Sequence, residues 1–197
     1  DTGSDRTKIK NFTIVNEGGT YKLYGLGEQA TLVRHEMFSK TLDTGGTTDL
    51  SGTTWAPVGS SSGSVTVTSP RDFNFFIYYE RTGLVYGAQA GTGLWSHVPN
   101  TSFNGSEFSV THTNISNGLI HTKDDILYVG IDNKIYKNDG GAWSLALTMP
   151  AHLYVTNICQ FGNKIGIALA PLATVGAGDS YIYIWDIYHT IQTSQIC

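Results

Sequence analysis

A pattern that returns at a fixed interval constrains this chain more than any other feature of its sequence. Asn117-Gly-Leu-Ile-His-Thr-Lys-Asp-Asp-Ile-Leu-Tyr-Val-Gly-Ile-Asp-Asn-Lys-Ile-Tyr-Lys-Asn-Asp-Gly-Gly-Ala-Trp143 reads as strand, tight turn, strand, turn, strand and tryptophan. Laid over the preceding segment, Ile120 falls on Ile77, Leu127 on Leu84 and Gly130 on Gly87, each 43 positions on. A unit of three or four short strands cannot bury its own apolar face. It folds only against its neighbours, so a repeat of this size predicts an array.

Composition agrees with strands. Charged residues make up 14% of the 197 and aromatic residues 12%. A typical soluble domain is about 25% charged. Glu, Lys and Arg, on which exposed helix faces depend, are scarce. Thr, Tyr, Val, Ile and Gly are plentiful, as in strands joined by tight turns. The expected class is all-β. The net charge of −4 leaves no basic excess to neutralise phosphates, so nucleic acid is not expected as a main partner. The apolar stretch from Ile165 to Ala173 is about half of the ~20 residues that span a bilayer, so no membrane insertion is expected. The chain begins Asp1-Thr-Gly-Ser4 and ends soon after strand-like sequence, which suggests a fragment of a longer protein.

Four units follow from the turns. Residues 1–10 are polar and are expected to be flexible. The rest reads as a single domain over 11–197, with units at roughly 11–70, 71–116, 117–160 and 161–197. The first opens on the hairpin Asn11–Val15, Glu17-Gly-Gly-Thr20, Tyr21–Gly25. It carries a polar insertion, Asp43–Thr54, and a Gly/Ser connector, Gly59–Ser64, before Val65-Thr-Val-Thr68. The second runs through Phe73–Tyr79, a turn at Glu80–Gly83, Leu84–Ala88, Gly91–Trp95 and Phe108–His112. The fourth holds Phe161–Ala168, a longer turn at Ala173–Asp179 and Ser180–Asp186. Gly87, Gly130 and Ala168 are small where neighbouring units must approach. Trp55, Trp95, Trp143 and Trp185 recur about once per unit and are expected to fill gaps between units.

These units resemble the blades of β-propeller proteins, whose four-stranded repeats run about 40–45 residues. The resemblance covers roughly residues 11–186 and rests on the 43-residue step rather than on a complete family signature. Trp185-Asp186 looks like the end of a Trp-Asp repeat blade, without its Gly-His partner. Asp139-Gly-Gly-Ala-Trp143 and Asp49–Trp55 look like imperfect Asp-boxes of sialidase-like propellers, in which the box is a structural turn. The chain is also similar in style to propellers of tailed-phage virions. The resemblance implies a propeller-like array of about four irregular blades, an incomplete ring or a fragment of one.

The candidate chemistry is sparse. Glycoside hydrolysis needs two carboxylates about 5–9.5 Å apart. Asp72, Glu80, Asp124, Asp125 and Asp179 mostly fall in predicted turns, where Asp bonds its own backbone. Arg6, Arg34, Arg71 and Arg81 are too few for the arginine cluster of a sialidase-like site. Asp124, Asp125 and Asp132 lack the spacing of a calcium loop, and the six histidines lack zinc-ligand spacing. Gly59-Ser-Ser-Ser-Gly63 matches a nucleophile elbow in letters but lacks the strand before and the helix after. No catalytic residue, metal or cofactor is therefore expected. Cys159, in the run Val155–Phe161, reads as a small buried hydrophobe.

The expected function is that of a structural or interaction protein in a large assembly, most simply a phage head-to-tail hub or tail component, in a virion or otherwise extracellular. Its partners would be other structural proteins in a symmetric homo- or hetero-oligomer. The alternative is a carbohydrate-binding or sialidase-like propeller, in which Trp55, Trp95, Tyr78 and Tyr79 would stack on sugar rings.

Overall fold

The computed structural model describes residues 6–29, 34–42, 56–57, 75–89, 93–99, 103–107, 114–172 and 179–188. Trp55, Asp72, the insertion at Asp43–Thr54, the connector at Gly59–Ser64 and the expected strands at Val65–Thr68 and Phe108–His112 lie outside them. The described residues hold fifteen strands and no helix, so none holds a helix long and apolar enough to cross a membrane.

The strands form four antiparallel sheets. The first has the order β1-β2-β3-β4, from β1 (Arg6–Glu17), β2 (Thr20–Gln29), β3 (Arg34–Thr41) and β4 (Ala56–Pro57). The second has the order β5-β6-β7-β8, from β5 (Phe75–Tyr79), β6 (Leu84–Gln89), β7 (Gly93–His97) and β8 (Phe103–Ser106). The third runs β12-β11-β10-β9, from β9 (Ile115–His121), β10 (Ile126–Ile131), β11 (Lys134–Asn138) and β12 (Ser144–Thr148). The fourth is three-stranded, β13-β14-β15, from β13 (Leu153–Phe161), β14 (Lys164–Pro171) and β15 (Tyr181–Trp185). Each sheet is a meander of consecutive strands, and among the described residues none closes on itself into a barrel.

The 43-residue step is thus a sheet-to-sheet step. Ile77 and Ile120 lie in the first strands of their sheets, Leu84 and Leu127 in the second. Two expectations change. Residues 6–10 belong to β1, with Arg6 opposite Gln29 and Lys8 opposite Glu28. Residues 153–160 belong to the fourth sheet rather than the third, because β13 pairs with β14 along its length. The apparent end of the third unit had hidden the opening strand of the fourth.

The chain divides into two compact units, one of Asp1–Gly87 with Leu94–Phe108, the other of Ala88–Gly93 with Ser109–Cys197. In the first, Val15, Tyr24, Phe76 and Val85 form a core against which Tyr78 and Trp95 pack. β1 is tied to β5: the Tyr78 amide donates to Thr13 Oγ1 at 2.9 Å and the Tyr78 hydroxyl to the Asn16 carbonyl at 3.2 Å.

In the second, Tyr128, Ile135, Leu147, Leu153, Val155, Ile158, Ile165, Ile167 and Trp185 share one core. The alternation along β13 and β14 aims these side chains inward. β9 lies against β13, with the Asn117 amide gripping the Ile158 backbone. Gly130 permits that approach. A Cβ there would lie 2.5 Å from Val155 Cγ1 and 2.7 Å from Ser116 Oγ, well inside contact. The small residue expected at this position is therefore required by packing.

The tryptophans are not equivalent. Trp95 and Trp185 lie in the third strands of their sheets, whereas Trp143 lies in the loop between β11 and β12. Trp185 packs edge-on against Tyr128, centroids 5.8 Å apart. Cys159 is exposed, contrary to the buried hydrophobe expected. An irregularity between Val155 and Asn157 shifts the alternation, so Ile158 faces the core and Cys159 faces out.

Candidate functional site

The second unit contains a cleft of about 560 Å³. Leu147 and Thr148 reach it from the end of β12, Met149, Pro150 and His152 from the following loop, Leu153 from β13, Leu169 from β14 and Tyr181 to Tyr183 from β15. Its floor is apolar, because Leu147, Met149, Leu153 and Leu169 belong to the buried core. Its rim is wetter: Thr148, Pro150, His152 and Ile182 are exposed.

Backbone bonds hold the loop that builds this cleft. Asn133 clamps Met149 twice: its amide nitrogen donates to the Met149 carbonyl at 2.8 Å, and its own carbonyl accepts from the Met149 amide at 2.7 Å. Leu153 N donates to the Pro150 carbonyl at 3.0 Å, closing the turn, and Leu172 N to the His152 carbonyl at 3.0 Å. The preceding turn is set by Asp132, at φ 51°. Its carboxylate accepts from the Asn114 amide at 3.0 Å and its carbonyl from the Val155 amide at 2.8 Å. Asp132 is thus a turn residue tying β9, β10 and β13, the role Asp often takes where φ is positive.

The lining offers hydroxyls from Thr148, Tyr181 and Tyr183 and the His152 imidazole, but no carboxylate, amine or thiol. Such a surface provides apolar contact and a few hydrogen bonds. It suits binding of an apolar group better than acid–base work on a glycoside, which needs paired carboxylates.

Of the residues expected to stack on sugars, Trp55 lies outside the described residues, and Trp95, Tyr78 and Tyr79 are wholly or partly buried. Trp95 is half-buried against the first core. Tyr79 is fully buried, so its ring faces protein rather than solvent. Tyr78 is half-buried and spends its hydroxyl on Asn16. Burial first, then the Glu80 and Glu17 carboxylates, pushes its phenol above the ordinary 10.0. Glu80, Asp124 and Asp125 lie in the turns expected of them. Among the described residues no three His, Cys, Asp or Glu side chains gather as a metal site.

Nothing in the residue pattern singled out His121. It is fully buried at the end of β9, with Nδ1 2.8 Å from Asp124 Oδ1. Its ring meets Tyr128 and Tyr188 edge-on, both at 6.5 Å, and Lys123 Nζ sits 4.3 Å from the Tyr188 centroid. The arrangement locks the β9–β10 turn by tying its entry to its third residue.

Two other features are exposed and apolar. On the outer face of the β1–β2 hairpin, Phe12, Ile14 and Tyr21 are 68%, 53% and 48% exposed. They share a face because Ile14 lies opposite Leu23 and Asn16 opposite Tyr21. On the outer face of the fourth sheet stand Cys159, Phe161 and Ile182.

The chain matches no protein-family model. No curated protein is significantly similar to it. Among solved structures, it is similar to the extracellular domain of BT4673 from B. thetaiotaomicron, a protein classed as a one component system. The TM-score is 0.49 at 14% identity, over 96% of this chain and 22% of that one. The chain therefore spans under a quarter of the length of that solved chain.

Proposed function

We propose that this chain is a structural and interaction module of a larger assembly, built as a propeller-like array of irregular blades. The observation that carries the reading is the apolar stripe of Phe12, Ile14 and Tyr21 on the outer face of β1–β2. Single exposed apolar residues are ordinary, but three large ones gathered on a face mark a surface meant to be covered. The low charge and a cleft whose lining carries no carboxylate favour docking over hydrolysis. The abundance of small polar residues suits a particle outside the cell, of which a tailed-phage virion is the simplest example. Partners would be neighbouring structural subunits in symmetric arrangement.

Cross-linking mass spectrometry on the native particle tests the proposal. Cross-links from the Lys40 side chain, which lies opposite Leu23 and so on the face of the stripe, to a second structural protein are expected. Doubly substituted Phe12→Ser, Ile14→Ser chains should fold but fail to incorporate. Recovery of the chain as an uncomplexed monomer with turnover on a glycan would sink it.

A further inference from the structure

We infer that β15 is a pairing edge and that its partner is β15 of a second copy of this chain, joined antiparallel about a two-fold axis at Tyr183. This rests on the reading of the chain as an assembly module and names one of its contacts.

Among the described residues three of the four sheets are four-stranded, and the fourth has three strands with β15 at its edge. Among the described residues β15 pairs with β14 alone, Ile165 to Leu169 opposite Trp185 to Tyr181. Exposed edges are normally blunted by Lys, by Pro, by a bulge or by an inward charge, because unpaired N–H and C=O groups recruit other strands. Tyr181-Ile-Tyr-Ile-Trp185 has none of these devices. Its register with β14 is unbroken, and its residues are β-branched or aromatic, the types that pair best across strands. Ile182 is 58% exposed.

The occupant follows from symmetry and charge. An antiparallel pair centred on Tyr183 sets Ile182 opposite Ile184 and Tyr181 opposite Trp185, each twice. The flanking carboxylates avoid each other: Asp186 falls opposite Ser180 and Asp179 opposite Ile187. No like charges meet, and every central pair is apolar or aromatic. The strand is its own complement, and the union would be a six-stranded sheet. Two five-residue strands make a small interface, so pairing is weak in dilute solution. It becomes persistent where other contacts hold copies close and raise their effective concentration.

The test is mass measurement by light scattering from low to high micromolar concentration, with hydrogen exchange read at each concentration. A monomer–dimer equilibrium is expected, with amide protection over 181–185 rising as the dimer fills. Ile182→Lys, at an exposed position that leaves the core intact, should weaken dimerisation about tenfold, because the lost cross-strand pair occurs twice. Phe12→Ser, Ile14→Ser should leave it unchanged, which separates failure of this contact from failure of the assembly reading. A monomer at every concentration overturns the inference, including one whose 181–185 amides are already protected by another segment of the same chain. A dimer indifferent to Ile182→Lys, with concentration-independent exchange at 181–185, overturns it as well.

Discussion

The Asn117 side chain grips the backbone of Ile158 with both ends of its amide: Nδ2 donates to the Ile158 carbonyl at 2.8 Å, and Oδ1 accepts from the Ile158 amide at 2.8 Å. The contact imitates a strand pairing between β9 and β13, which belong to different sheets. Asn117→Ala should therefore unlatch the two sheets of the second unit. Two lost bonds and two backbone groups left near the core cost about 2–4 kcal/mol. Urea denaturation followed by tryptophan fluorescence would read it. A loss below about 0.5 kcal/mol, the range of neutral surface changes, would show that water replaces the clamp.

Gly130 tests the same junction from the packing side. Gly130→Ala places a methyl against Val155 Cγ1 and Ser116 Oγ, and overpacking of this kind costs about 1–3 kcal/mol. Val155→Ala removes the nearer obstacle and loses its own core contacts. The double variant should be more stable than the sum of the single effects predicts. Strict additivity in the double-mutant cycle would separate the two positions energetically and contradict the structure.

The phenols of Tyr78 and Tyr86 should make stability fall at alkaline pH. Both are held above the ordinary 10.0, each mainly by burial; nearby Glu80 and Glu17 add to Tyr78 and Glu107 to Tyr86, where the Thr82 hydrogen bond acts the other way. The folded state thus binds these protons more tightly than the unfolded chain. The stabilisation they bring is complete below 10.0 and is lost as pH rises through the raised values. Denaturation midpoints should fall between about pH 9 and about pH 11, bracketing the free phenol. The fall should be shallower in Tyr78→Phe and Tyr86→Phe. Identical pH slopes in wild type and variants would refute this.

Cys159 should react in the native state. It is exposed on the outer face of β13, unlike the core residues beside it. In a Cys197→Ser background, one thiol should titrate with a disulfide reagent without denaturant. Its modification should leave the melting temperature nearly unchanged. Reaction only after unfolding would place the side chain in the core.

The all-β class, the sheet-to-sheet step of 43 residues and the need for a small residue at Gly130 were legible because they are local or periodic. Turn chemistry at Asp124-Asp125, Asp132-Asn133 and Gly162 punctuates the strands, and the recurrence of Ile, Leu and Gly marks equivalent places in successive sheets. The direction of Cys159 was not legible, because a single irregularity in β13 reverses which residues face inward. Nor was the cleft, whose lining comes from β12, β13, β14, β15 and a loop brought together only by pairing. Nor was His121, whose burial depends on Tyr128 and Tyr188 arriving from elsewhere in the chain. The sugar-stacking set of Trp95, Tyr78 and Tyr79 shows the same limit: aromatic rings are visible in a sequence, but whether they face solvent or each other depends on which strands pack against them. The sequence by itself determined the all-β class, many of the turns and the 43-residue repeat. Only the tertiary structure decided which surfaces remain open, because exposure is a property of neighbours and not of residues.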